Sequence, residues 1–494
     1  MRDHLKTAVY ACTLVAGLFA YWAVSAYYSL ADEFSAADLL AFSAYLTTCV
    51  IIECALILGL HAIFKTDLPT IALSAIFVIL NTLSLNLLLN EGFVTLSPVV
   101  VAALVGVGFL IAFVAVQAVV ETRAVRRWVS IALAALILSA PISYYSDRPI
   151  WGGGTSEHVS SVAFTSKPNV YFVGFESMGA PAVLRKRLGF DTAELPAAFE
   201  RNQFRVFRNL FTEAAPTMNS LTSLLALDGA YSTRALRMGK SPLFSGRLPS
   251  PLLEVFKSNG YRTTTLYDST YFGKWAGPHV DEYRYNELFS VCSFMEPYET
   301  SYAFFGVCRF HAWWQEPRKL PGKHIDFLMQ AIDEISQRTE PQFLLAHISP
   351  LSHTSKDFTG TPDQMKAFLK RYAKQDAAAA QNLDRIVGHL RTRDPTAVLF
   401  VFGDHGAWLS RAISFEEDKQ FYIQDRYGVL GGVHPSSACA TTFADPIAKT
   451  YATVPQIARM IIRCLAGGKD AFDTSYQHPF PEGLPEKYED YLYE

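Results

Sequence analysis

Val398-Leu399-Phe400-Val401-Phe402-Gly403-Asp404-His405-Gly406 is the stretch whose reading decides the fold. Its uninterrupted β-branched and aromatic start reads as a buried strand of a parallel sheet. Gly403 ends the run, and Asp404 and His405 follow side by side, with Gly406 freeing the backbone. In open α/β sheets, ligands sit just beyond the carboxyl ends of the strands. A carboxylate oxygen and an imidazole nitrogen there are a usual donor set for zinc or manganese. A loop Asp capping a helix beside a surface His is the other reading of this stretch alone.

Working outward, similar strands carry similar ends. Asn169–Phe175 is a strand that exits on Glu176-Ser177, and Gln342–Ile348 is another, which puts His347 and His353 at or just past its end. Phe204–Phe211 and Tyr427–Val433 read as further strands, and Arg262–Tyr267 as a short one followed by a loop carrying Asp268 and Lys274. Helical periodicity covers Pro251–Lys257, residues 362–391 and Val454–Leu465. Strands alternating with helices predict a doubly wound α/β sheet. Leu221, Leu224 and Leu225 are spaced for a helix opening just after Pro216, so Thr217 stands at a helix N-terminus, where free N–H groups favour a phosphate. As a lone feature Thr217 also reads as an N-cap.

The 494 residues suffice for two or three domain-sized units, and the net charge of −3 gives no sign of a nucleic-acid partner. The hydrophobic excess lies before residue 147. Five apolar runs there, near Thr7–Leu30, Asp38–Phe64, Thr70–Leu89, Ser97–Val120 and Trp128–Tyr145, are long enough to cross a bilayer, which takes roughly 20 residues. Arg2, Lys6, Lys65, Arg123, Arg126 and Arg127 alternate with acidic turns at Asp32–Glu33 and Glu91. The positive-inside rule then puts the N-terminus in the cytoplasm and everything after Tyr145 outside. The expected domains are a five-helix transmembrane region (1–146), a linker (147–167) and an external domain (168–494). Glu53 lies within the second run, where it either faces a headgroup cavity or packs as a hydrogen-bonded residue. Cys292, Cys308, Cys439 and Cys464 fall outside, in an oxidising space, with Cys292–Cys308 the favoured pairing.

Glu176, Thr217, Asp404 and His405 thus form one pattern, two acids, an imidazole and a hydroxyl, each at a strand exit or helix start. With the preceding spans and Ser352-His353, it resembles the alkaline phosphatase/sulfatase superfamily. It looks most like the membrane branch, the lipoteichoic-acid synthases and the phosphoethanolamine transferases that modify lipid A. The resemblance implies a five-helix membrane domain followed by a sulfatase-like α/β domain, in an inner membrane with that domain periplasmic. It implies metal ligands at Glu176, Thr217, Asp404 and His405 for one zinc or manganese, with Thr217 as nucleophile. His353 would bind the phosphoryl group or act as general acid. A second metal is an option, with His434 a candidate ligand, and Lys274, His347 and His434 are candidate substrate-binding residues. The reaction implied moves phosphoethanolamine or phosphoglycerol from a membrane phospholipid, through phospho-threonine, to an envelope glycan or glycolipid. A phosphodiesterase or phosphatase of the same fold, and a non-catalytic membrane sensor, are the alternatives. The chain departs from these relatives at Ala407-Trp408, where they usually carry a Glu. It has no Cys-x-Pro-x-Arg near position 217, so the formylglycine of a true sulfatase cannot form there.

Overall fold

The computed structural model describes residues 2–29, 36–82, 98–146, 161–190, 194–215, 217–227, 250–269, 279–287, 324–355, 358–413, 417–434, 439, 442–443 and 452–468. They fall into two compact units, the N-terminal helices and the α/β domain.

The first unit contains helices Arg2–Ser29, Ala36–Phe64, Asp67–Thr82, Pro98–Glu121 and Arg123–Ser146. Ala8, Ala11, Val15 and Phe19, spaced for one helical face, are buried with Phe42, Ile57 and Phe77. On the second helix Ile51, Ile52 and Leu56 are exposed, as suits a surface that meets lipid, whereas Glu53 is buried. Five spans were expected, and helices do occur in all five runs. Among the described residues only Leu5–Ser25 and Leu39–Phe64, 21 and 26 residues, are each long and apolar enough to cross a membrane alone. The third is a shorter apolar helix over its described part. The last two bend by 112° between Gly106–Glu121 and Arg123–Ser139, so they count together as at most one further span, broken or re-entrant. The break falls where Thr122 and a cluster of arginines interrupt the apolar pattern.

The second unit is built on a seven-stranded sheet. Its strands are β1 Val170–Phe175, β2 Arg205–Val206, β4 Arg262–Ser269, β5 Glu282–Glu287, β6 Gln342–Ile348, β7 Val398–Gly403 and β9 Gly431–His434, in the order β2-β9-β7-β1-β6-β4-β5. From β7 to β5 neighbours run parallel, while β9 and β2 add an antiparallel edge. A small sheet pairs β3 Leu210–Phe211 with β8 Gly428–Val429 and β10 Ala452–Thr453. The expected strands over Phe204–Phe211 and Tyr427–Val433 are therefore each two short pieces that join different sheets. Apolarity alone does not record which neighbour each piece meets.

All six residues of β1 are buried. Val170 and Phe172 face one core with Phe343, Phe400 and helix Val454–Leu465, and Tyr171, Val173 and Phe175 face the other with helix Pro362–Arg393. A strand covered on both faces has no polar alternation to keep, which accounts for its continuous apolar run. Helix Pro362–Arg393 starts at Thr361, whose side chain accepts from Gln364 N, and Val454–Leu465 starts with a capping box between Thr453 and Gln456. Among the described residues a disulfide joins Cys439 to Cys464. Cys292 and Cys308, like Lys274, Glu91 and linker residues 147–160, lie outside the described residues.

Candidate functional site

Register brings the site together. Phe175 of β1 lies opposite both Ile348 of β6 and Gly403 of β7, and Tyr267 of β4 lies opposite His347. Glu176, Asp404 and Asp268 therefore gather with His347 at one edge of the sheet, at the carboxyl ends of four adjacent strands. Asp268 is the last-but-one residue of β4 rather than part of a loop. The exits are held by Glu176 N donating to Ile348 O at 2.9 Å and Asp404 N to Phe175 O at 3.2 Å. Ser177 adopts φ 57°, rare for a residue with a side chain, and its N–H donates to Asp404 Oδ1 at 2.9 Å. Gly406 is needed for space rather than for a special φ, because a Cβ there would run into the Asp425 carbonyl oxygen.

Asp404 is fully buried. Its Oδ2 accepts from His347 Nε2 at 3.1 Å, and His405 Nε2 lies 3.6 Å from the same oxygen. Thr217 Oγ1, on the first residue of helix Thr217–Ala226, is 3.1 Å from His405 Nε2. The Thr217 hydroxyl thus turns toward the imidazole. Proton bookkeeping assigns the ring nitrogens. His405 Nδ1 meets the carbonyl oxygen of Gly406 at 2.8 Å, and a carbonyl only accepts, so Nδ1 carries a hydrogen and, when the ring is neutral, Nε2 is the nitrogen with the lone pair. His353 has the same arrangement, with Nδ1 donating to Thr354 O at 2.7 Å and Nε2 4.0 Å from Glu176 Oε1. His347 is the opposite case: its Nε2 donates to a carboxylate, so it orients Asp404.

Burial by itself would raise the Asp404 pKa, but the imidazoles of His405 and His347 and the Thr217 hydroxyl bring it down to about 2. For His347 burial works against protonation, yet Asp404, Glu176 and Asp268 raise its pKa. His353 is shifted down, by burial first and then, against a bond to Thr354, by His405 and Arg411. Three carboxylates around a buried imidazole give this edge the field a cation prefers.

The donor chemistry fits a divalent metal. Asp404 is ionised, His405 presents a bare Nε2, Thr217 adds an oxygen, and Glu176 stands at the next strand end. Among the described residues no three His, Cys, Asp or Glu side chains stand at ligand spacing. Asp404, His405 and Thr217 meet, while Glu176 lies toward His353, on the side open to solvent, where the two side chains are 20% and 36% exposed.

The other expected residues divide. His353 joins the site, and its ring stacks on Trp408 at 5.4 Å and 25°. Trp408, at φ 61°, is a site neighbour that sequence reading noted only as a departure from the family pattern. His434 does not join. It lies opposite Leu399, at the far end of β7, five residues from Asp404 and so about 16 Å along the strand, and it packs against Phe204. The tie to Asp404 makes His347 a support for the site; its expected contact with substrate is not needed to explain its place.

No curated protein matches the sequence. Among solved structures, the integral membrane lipooligosaccharide phosphoethanolamine transferase A of Neisseria meningitidis is 13% identical, with a TM-score of 0.46 over 93% of this chain and 97% of that one. The C-terminal periplasmic domain of EcEptC from Escherichia coli, in complex with Zn, is 12% identical, with a TM-score of 0.43 over 66% and 92%. The lipoteichoic acid synthase LtaP of Listeria monocytogenes is 14% identical, with a TM-score of 0.41 over 65% and 78%. Likenesses this distant carry no argument. The sequence does: residues 168–429, more than half of the chain and every strand of the site edge, match the family described as Sulfatase. The chain belongs to the Sulfatase family, within the alkaline phosphatase superfamily.

Proposed function

We propose that this protein transfers a phospholipid headgroup, phosphoethanolamine or phosphoglycerol, to an envelope glycan or glycolipid by way of phospho-Thr217. In this reading residues 1–146 form a five-helix membrane domain with its N-terminus in the cytoplasm, 147–167 a linker, and 168–494 a periplasmic catalytic domain at the inner membrane. The observation that carries the reading is the Thr217 hydroxyl, 3.1 Å from His405 Nε2 and beside ionised Asp404. A buried threonine at a helix N-terminus becomes a nucleophile only when its proton is drawn away. A zinc or manganese held by Glu176, Thr217, Asp404 and His405 would supply Lewis acidity and favour the alkoxide when bound.

In the first half-reaction Thr217 Oγ attacks phosphorus, the bond from phosphorus to the diacylglycerol oxygen breaks, and diacylglycerol leaves as an alcohol. The proton lost by Thr217 equals the one gained by that oxygen. His353 Nε2, with its lone pair bare and its side chain partly exposed, is our candidate carrier of the proton. In the second half-reaction an acceptor hydroxyl attacks phospho-Thr217, its proton leaves, and the threonine hydroxyl is restored. With water as acceptor the same chemistry is a phosphodiesterase. Sulfate ester hydrolysis has no support, because position 217 is Thr.

The test is the intact mass of the detergent-solubilised protein after incubation with phosphatidylethanolamine or phosphatidylglycerol and zinc or manganese. An adduct of headgroup-phosphate mass, absent from Thr217→Ala, is expected and names the donor. No adduct and no diacylglycerol from either lipid would point to the non-catalytic reading.

A further inference from the structure

Two arginines hold the backbone of His353 and Thr354, and a third holds Ser410 beside them. Arg371 Nη2 donates to His353 O at 3.2 Å, Arg411 Nη1 to Thr354 O at 2.9 Å, and Arg426 Nε to Ser410 Oγ at 2.8 Å. Arg411 and Arg426 both lie over the Trp408 ring, 4.6 and 4.4 Å from its centroid, and that ring stacks on His353. Several other arginines of this unit are neutralised, Arg187 by Asp418, Arg201 by Asp384, Arg284 by Glu282 and Glu334, and Arg385 by Asp326, while Arg391 and Arg459 donate to the carbonyl oxygens of Asn202 and Leu227. Arg371, Arg411 and Arg426 have no ion pair among the described residues. The carboxylate of Asp425, next to Arg426 in sequence, is buried and accepts from Ser410 N; burial raises its pKa and Arg426 offsets only part of the rise. Arg426 is close enough to Arg411 to lower its pKa, after burial, so two like charges are held together. Like charges held together, with most of their N–H donors uncommitted among the described residues, match an oxyanion supplied from outside.

We propose that Arg371, Arg411 and Arg426, arranged around Trp408 and His353, form an anion-binding rim for a phosphate-type group of the substrate. The Trp408 indole N–H, buried with no acceptor, adds a neutral donor to the same cluster. This deepens the transfer reading and rests on it in calling the ligand a substrate; the binding itself needs no turnover. The Trp408 ring lies 5.4 Å from the His405 ring as well as against His353, so the rim borders the site at Thr217.

The experiment titrates inorganic pyrophosphate by calorimetry into full-length, detergent-solubilised Thr217→Ala protein stripped with a chelator, which removes both the nucleophile and any metal. One salt-sensitive binding event is expected, weakened about tenfold in Arg411→Gln/Arg426→Gln, the scale of a charge-assisted hydrogen bond. Arg411→Lys/Arg426→Lys, which keeps both charges, is expected to retain binding within about threefold and decides the matter where the Gln variant does not fold. Displacement of pyrophosphate by a sugar phosphate marks the anion as the acceptor's, and by glycerophosphoethanolamine as the donor's. No binding, displacement by neither, or affinity unchanged in the Gln variant overturns the rim. The phospho-Thr217 adduct is read on the wild-type residue, so failure of the transfer reading shows separately.

Discussion

At the N-terminal end of β1, Asn169 Nδ2 and Tyr171 Oη both donate to Asp394 Oδ2, at 2.8 and 2.9 Å, while Asn169 Oδ1 accepts from Gln342 N at 2.8 Å. At the C-terminal end, the Asp404 carboxylate faces two imidazoles, and Glu176 and Asp268 act with it on His347. The first cluster gives each donor an acceptor and ties β1, β6 and the entry to β7 together. The second collects like charges that only a cation or a proton reconciles. Buried polar groups that satisfy one another serve stability, and those that do not mark where chemistry happens.

Several substitutions would break or sharpen this contrast. The largest effect belongs to the C-terminal edge. Thr217→Ala should lower diacylglycerol release at least about a thousandfold with the thermal transition nearly unchanged, as loss of one member of a concerted catalytic group does. A shift in melting as large as the loss of activity would make Thr217 structural. Gly406→Ala should destabilise the domain by about 3 kcal/mol, because a Cβ against the Asp425 carbonyl forces the backbone apart; urea titration of the full chain reads it.

The opposite end should answer in the opposite currency. Asp394→Ala leaves Asn169 and Tyr171 without their shared acceptor and should cost about 1–3 kcal/mol while the rate of adduct formation on Thr217 holds. A fall in that rate larger than the loss of folded protein would show the two ends to be coupled.

A smaller effect tests burial alone. Asp376, on helix Pro362–Arg393, has its pKa raised by burial to about 6, despite a bond from Leu195 N and with Glu194 adding to the rise. The folded state therefore holds this proton more tightly than the unfolded chain, at 3.8. The associated stability is complete below 3.8 and is lost as pH rises through about 6. Asp376→Asn should melt above wild type at neutral pH, with the gap closing on acidification; a gap independent of pH would reject the assignment. Least of all, Arg385→Ala removes an ion pair to Asp326 whose side chains are half exposed, and should change stability by no more than about 0.5 kcal/mol in the same melts.

Strands with both faces covered were legible. Phe343–Ala346 of β6 and Val398–Phe402 of β7 are unbroken apolar runs, and the capped helix Val454–Leu465 carries its own start signal. Short pieces were not. Gly428–Val429 and Gly431–His434 read as one strand, yet the first pairs with β3 and the second with β7, a choice made by neighbours distant in sequence. The same limit applies at the site. Glu176, Thr217, Asp404 and His405 could be named from strand exits and a helix start, but nothing local set His434 apart from His353. The register of β9 on β7 separates them.

The sequence by itself determined the apolar N-terminal third, the α/β order after it, and the residue types at the strand ends, because periodicity and turn chemistry act over a few residues. The tertiary structure decided the rest. It fixed which strand ends share an edge, the bend at Thr122 that makes the last two apolar helices one broken stretch, the need for glycine at position 406, and the gathering of Arg371, Arg411 and Arg426 around Trp408. Each depends on backbone pairing or close packing between segments far apart in the chain, where a side chain's partner is set by the fold rather than by its neighbours in sequence.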